Sequence, residues 1–254
     1  MEQPIPASDR AYARQHLIDL MLRMPSKLQL SLSDALNVIA EHDFPTTWPT
    51  LVQELASKLN PADYSINMGV LQTCHAIFRK FRFATKTDEL FLQLKTILTQ
   101  FCPAYLALFQ ATDQLLVQHQ NNKQALETLL NTLLSLTKIF IDLNWQDLPE
   151  FFEDHLEEFM AIFHRLLLFS NPVIEEDADD DHPTVVEKLK ASICDVVRLY
   201  ATIYDEEFTQ MPDFLKTIWT MLLSTGPEVR YDHVGFFLVC CHMLLSTGHT
   251  GPLG

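Results

Sequence analysis

His155 and His164 flank a segment dense in carboxylates, and Cys74-His75 sets a thiol beside an imidazole. Such residues can hold a metal, move protons or form a thiolate nucleophile, so spacing decides what is available. The histidines stand nine positions apart, about two and a half helical turns. Their rings would face different neighbours and make a poor metal pair. Adjacent helical residues point in different directions, which separates Cys74 from His75. The run "EEDADDD" at 175–181 has carboxylates enough for calcium, yet it lacks the alternating ligands, central Gly and terminal Glu of a helix-loop-helix site. There is no Gly-rich phosphate loop, no nucleophile elbow, no His-Glu-x-x-His and no Cys-x-x-Cys. The sequence therefore predicts neither catalysis nor a cofactor nor a metal.

Charge remains. The formal net charge is −15, and between 145 and 185 twelve acidic residues face one basic residue, Arg165. Such a chain repels nucleic acid and anionic lipid, so basic proteins are the partners it suits; a plain solubility role is the alternative. In "LNWQDLPEFFEDHLEEFM" (143–160), Glu150, Glu153, Asp154, Glu157 and Glu158 alternate with Phe151, Phe152 and Phe159. Both kinds are satisfied only on a helix with one wet face and one dry face.

The elements that would position these groups read as helices throughout. Ser8 reads as the cap of a first helix with Tyr12, Leu17, Leu20 and Met21 on one side. Pro25 opens a second, with Leu28, Leu32, Leu36 and Ile39 inward. "DFPTTWP" (43–49) breaks it, Asp43 being a plausible cap there, and a third helix runs to about Leu59. "NPAD" (60–63) is the next stop. A helix over 65–82 carries Val70, Leu71, Cys74, Ile77, Phe78 and Phe81 as its stripe and ends on the basic cluster Arg79, Lys80 and Arg82. A long pattern over about 87–118 should kink or divide at Pro103. Further helices are predicted over about 123–143, 147–169, 184–204 and 207–224. Between them, 171–183 reads as a mobile acidic loop, since like charges this dense oppose compaction.

No strand or Gly-turned hairpin appears. The helices arrive in pairs of roughly 40–45 residues, the period of HEAT repeats that stack into an α-solenoid, with a helical bundle as the competing all-α fold. Five cysteines without regular spacing and an N-terminus without an apolar run point to reduced thiols in a cytosolic or nuclear protein. The longest apolar run, Val234 to Cys241, is far shorter than the ~20 residues a membrane span needs.

The 143–160 stretch resembles a segment of the importin-alpha export receptors, the cellular apoptosis susceptibility family of the importin-β superfamily. Four more stretches match that family in order: "LSDALNVIAEHDFPTTWPTLVQELASKL" (32–59), "GVLQTCHAIFRKFR" (69–82), "TDELFLQLKTILTQFCPAYLALF" (87–109) and "YDEEF" (204–208). The resemblance implies an all-α HEAT-repeat solenoid that binds Ran-GTP together with importin-alpha, and shuttles between nucleus and cytoplasm past nucleoporins at the nuclear envelope. It places the expected repeats in 1–232, lacking the family's first and C-terminal repeats, and makes 233–254 a divergent tail. A generic HEAT scaffold, or a truncated gene product without function, are the alternatives. The expected partner contacts are Asp43, Phe44 and Trp48 in the corner, the cluster Arg79, Lys80 and Arg82, the acidic helix (Glu150, Glu153, Asp154, Glu157), and the loop residues Glu175, Glu176, Asp177, Asp179, Asp180 and Asp181.

Overall fold

In the computed structural model, residues 5–175, 183–209, 211, 213–214, 216–217 and 220 are described. The acidic residues Glu176, Asp177, Asp179, Asp180 and Asp181 and the tail 233–254 lie outside them. Among the described residues there is no strand, and the chain divides into two compact units.

The first unit holds residues up to Gln118 together with Asp142–Gln146. Its helices are α1 (Ala7–Arg23), α2 (Ser26–Asp43), α3 (Leu51–Lys58), α4 (Tyr64–Phe78) and α5 (Asp88–Gln118), with a 3-10 segment over Arg79–Phe83. Asp63 caps α4, its Oδ1 accepting the Ile66 amide at 3.2 Å. The Asn67 side chain closes the preceding turn onto Asn60, at 2.8 Å to its amide and 2.7 Å to its carbonyl. The α4 stripe is as the periodicity predicts: Val70, Leu71, Cys74, Ile77, Phe78 and Phe81 are all buried. Phe78 packs edge-on against Phe101 of α5, at 5.3 Å between ring centres. Tyr105 and Phe109 continue that file at i+4 spacing, which puts all three α5 rings on one side of the helix. Pro103 does not divide α5; one helix of 31 residues runs through it.

Two expectations fail in α1 and α2. Ser8 lies inside α1 and donates to Asp9, while Pro6 occupies the cap position. The inward set differs in part. Met21 and Leu36 are buried as expected, but Tyr12, Leu20 and Leu28 are 68%, 46% and 54% exposed, and Ile18, Gln29, Ser33 and Ala40 are buried instead. Ser33 and Thr73 can be buried because their hydroxyls meet at 2.6 Å, and both also approach the Met21 sulfur at 3.1 Å. Thr73 donates as well to the Gly69 carbonyl at 2.8 Å. Both hydroxyls therefore have partners, which removes the penalty that normally keeps Ser and Thr outside. Gly69 lets the Gln29 side chain sit close on α4: a Cβ there would stand 3.0 Å from it.

The second unit holds His119–Ile141 and the residues from Asp147 onward. Its helices are α6 (Lys123–Asn144, whose last residues belong to the first unit), α7 (Glu150–Asp154), α8 (Leu156–Leu167), α9 (Pro172–Glu175), α10 (Val185–Ile203) and α11 (Asp205–Thr209). The helix predicted over 147–169 is therefore two, parted at His155, where the backbone leaves helical values (φ −111°, ψ 16°). The helix predicted over 207–224 is likewise interrupted, since Met211 is not helical. Phe140 is the hub of the core. Its ring lies 5.1 Å from each of Phe152, Phe159 and Phe163 and 6.0 Å from Tyr200. A capping box starts α10: the Thr184 hydroxyl accepts the Glu187 amide, and the Glu187 carboxylate accepts the Thr184 amide.

Candidate protein-binding surfaces

The acidic segment separates wet from dry as its alternation predicts, except that it does so over two helices and Phe151 is half-buried. Glu150, Glu153, Asp154, Glu157 and Glu158 are exposed, while Phe152 and Phe159 are fully buried against Phe140. The five carboxylates fall in nine consecutive residues, enough to give this face of the second unit a concentrated negative potential. Glu175 ends α9, and the carboxylates that follow it lie outside the described residues. The flanking histidines are apart, as expected. His155 Nδ1 is 3.6 Å from Glu158, beyond hydrogen-bond reach, and His164 Nε2 is 2.7 Å from the Thr217 hydroxyl. Among the described residues no group of three or more His, Cys, Asp or Glu is placed to hold a metal.

In the first unit the "DFPTTWP" corner is built from within. Phe44 and Trp48 are 5% and 4% exposed, so their rings belong to the core and offer no surface to a partner. The peptide bond before Pro45 is cis. Asp43 does not cap the following helix: it ends α2, and its backbone carbonyl accepts the amides of Thr47 and Trp48 at 2.7 and 2.8 Å. Its carboxylate pairs with Arg14 at 2.5 Å. Burial opposes ionisation of Asp43, but hydrogen bonds from Arg14 and Thr47 outweigh it and hold the carboxyl below its ordinary value.

The basic cluster separates into three different residues. Arg79 is exposed. Lys80 is half-buried over the Phe81 ring, and burial lowers its pKa against the opposing charge of Glu41. Arg82 turns inward. Its Nη2 and Nε reach Asp142 Oδ1 at 2.5 and 2.6 Å, while His75 Nδ1 lies 2.6 Å from Oδ2. The Asp142 side chain is 0% exposed. The guanidinium also covers Trp145, and the Gln146 amide nitrogen stands 2.9, 3.0 and 2.9 Å from the carbonyls of Phe81, Arg82 and Ala84. Arg82 is thus half of an internal clasp. Cys74 points the other way from His75 into the core, where burial pushes its thiol pKa far up and keeps it protonated.

Sequence reasoning missed Asp142 and its clasp. One signal was available: Asp142 is a lone carboxylate in the apolar run "KIFIDLNW", at a register where its neighbours Phe140, Ile141 and Leu143 are buried. A charge in such a place must find a partner.

The Cse1 family model matches residues 77–245, about two thirds of the chain. This chain belongs to the Cse1 family. It is 40% identical over 226 residues to Exportin-2 of Homo sapiens, covering 89% of this chain and 23% of that protein. It is 38% identical over 229 residues to the importin alpha re-exporter of Saccharomyces cerevisiae, covering 90% of this chain and 24% of that one. The solved exportin Cse1 in its cargo-free, cytoplasmic state superimposes with a TM-score of 0.87 at 36% identity, covering 95% of this chain and 26% of its own. This Cse1-family chain accordingly has the all-α HEAT-repeat solenoid fold and spans about a quarter of the length of the curated relatives it matches. Those relatives are named for export, not for a reaction. Among the described residues no helix is long and apolar enough to cross a membrane.

Proposed function

We propose that this chain is a protein-binding element of an importin-alpha export receptor. It helps hold importin-alpha together with Ran-GTP for return from nucleus to cytoplasm, and GTP hydrolysis on Ran then releases the cargo. The observation that carries this reading is the identity of about 40% with exportin-2 proteins along nearly the whole chain, joined to the same fold. In this reading the chain's own residues do no covalent chemistry and hold no cofactor; they supply surface. We assign the repeats to 1–232 and a divergent tail to the residues beyond, of which the Cse1 match still takes in 233–245. The receptor meets nucleoporins as it crosses the nuclear envelope between its two compartments.

The carboxylates of α7 and α8 are the partner-facing groups we assign first, because they are exposed and carry one sign of charge. Glu150, Glu153, Asp154 and Glu157, with Glu175, Glu176, Asp177, Asp179, Asp180 and Asp181 further along the chain, suit a basic patch on importin-alpha. For Ran-GTP the assigned contacts are Arg79 and Lys80. Asp43, Phe44, Trp48 and Arg82 shape the same unit from inside, and their role in binding is to hold the surface rather than touch the partner. The test is capture of importin-alpha by the immobilised chain, with and without Ran-GTP. Retention that increases with Ran-GTP is the expected result. Equal recovery on the chain and on a bare matrix would overturn the proposal.

A further inference from the structure

The second unit contains a cleft that the acidic face alone does not explain. It lies between α8 and the residues Glu207, Met211, Asp213 and Phe214 and has a volume of about 450 Å³, within the range of small-ligand pockets. Its floor is apolar and soft, formed by Met160, Ala161, Met211 and Phe214. Three carboxylates, Glu157, Glu207 and Asp213, stand in its lining. No salt bridge engages any of the three among the described residues, and no Lys or Arg lines the cleft. The remaining polar wall is His164, whose Nε2 is taken by Thr217 and whose ring lies 5.1 Å from that of Phe214.

An apolar trough with several uncompensated carboxylates and no cation suits one kind of guest: a long aliphatic stem ending in a positive charge. We infer that this cleft receives a lysine or arginine side chain from a basic peptide segment of a protein partner. The methylenes of such a side chain lie on Met160, Met211 and Phe214, and its head is held among Glu157, Glu207 and Asp213. The Phe214 ring gives the cation a further favourable surface. A neutral apolar peptide would leave the three carboxylates partly desolvated without a partner, and an anion would be repelled. The inference rests on the proposed function only for the source of the side chain, since the cleft's chemistry is its own.

The test uses the full chain with 13C-methyl-labelled methionine, titrated with N-acetyl-arginine amide and, in parallel, with N-acetyl-leucine amide. The expected result is a saturable shift of the Met160 and Met211 methyl signals with the arginine compound at millimolar concentration, with Met21 unmoved. Ala161→Phe fills the trough without changing charge and should abolish the shift. Glu157→Gln/Glu207→Gln/Asp213→Asn should weaken binding about tenfold, the effect expected when three partly solvated charge contacts are lost together. The inference is overturned if neither methyl responds, if the leucine compound produces the same shift, or if the arginine response survives Ala161→Phe. If importin-alpha still binds a chain whose Met160 and Met211 signals ignore arginine, the cleft assignment falls and the proposed function stands.

Discussion

Arg82→Met should destabilise the first unit more than Asp142→Asn, although the two changes remove opposite ends of one ion pair. The asymmetry comes from exposure. Asp142 is 0% exposed, whereas the Arg82 side chain is 21% exposed and that of His75 30%. Losing Arg82 strands a carboxylate that no water reaches, with His75 as its remaining partner. Breaking a buried pair in that way costs about 3–5 kcal/mol. Losing the Asp142 charge leaves a guanidinium already at the edge of solvent, over Trp145, so the cost should be smaller, about 1–3 kcal/mol. The double replacement Arg82→Met/Asp142→Leu strands no charge and should be less harmful than Arg82→Met alone. Urea unfolding of the three variants, followed by circular dichroism and tryptophan fluorescence, reads this directly. Should the two units unfold in separate steps, the step that moves in Arg82→Met belongs to the first. The reasoning fails if Arg82→Met costs under about 1 kcal/mol, or if the double variant is as unstable as Arg82→Met.

Two further outcomes follow from the packing and the charges. Phe140→Ala removes the ring that Phe152, Phe159, Phe163 and Tyr200 share and should cost about 3–5 kcal/mol in urea unfolding. Phe151→Ala, at a half-buried ring that meets the cluster edge-on at Phe152, should cost less than half as much. For Asp43 the folded state binds its proton more weakly than the unfolded chain, so the stability it adds is present above the ordinary carboxyl pKa of 3.8 and is lost as pH falls below it. Between pH 5 and pH 3 the native chain should therefore lose more stability than Asp43→Asn, and equal slopes would refute the Arg14–Asp43 assignment.

Helix existence and the α4 stripe were legible because they depend on residue type and spacing alone. Val70, Leu71, Cys74, Ile77, Phe78 and Phe81 follow the helical period, and each is buried. What could not be read was anything decided by a partner distant in sequence. Gln29 and Ser33 go inside while Leu28 stays out; hydropathy ranks these residues the other way, but it contains no information about the Thr73 hydroxyl or the Met21 sulfur. Arg79, Lys80 and Arg82 look like one basic patch until Asp142, sixty positions along the chain from Arg82, draws Arg82 inward. Asp43 looks like a cap until Arg14 claims its carboxylate. The acidic face was legible for the opposite reason. Exposed carboxylates need no specific partner, so the alternation of Glu and Phe was enough to predict which would be wet.

The acidic face of the second unit is the surface proposed to bind importin-alpha. Fluorescence-anisotropy titration of labelled importin-alpha in the presence of Ran-GTP, at 50 and 250 mM salt, tests it most directly with the native chain beside Glu150→Gln/Glu153→Gln/Asp154→Asn/Glu157→Gln. Four exposed charge contacts at about 0.3–0.5 kcal/mol each predict roughly a tenfold weaker Kd for the variant at the lower salt. Screening at the higher salt should shrink that difference. An identical Kd for both proteins at both salt concentrations would contradict the account.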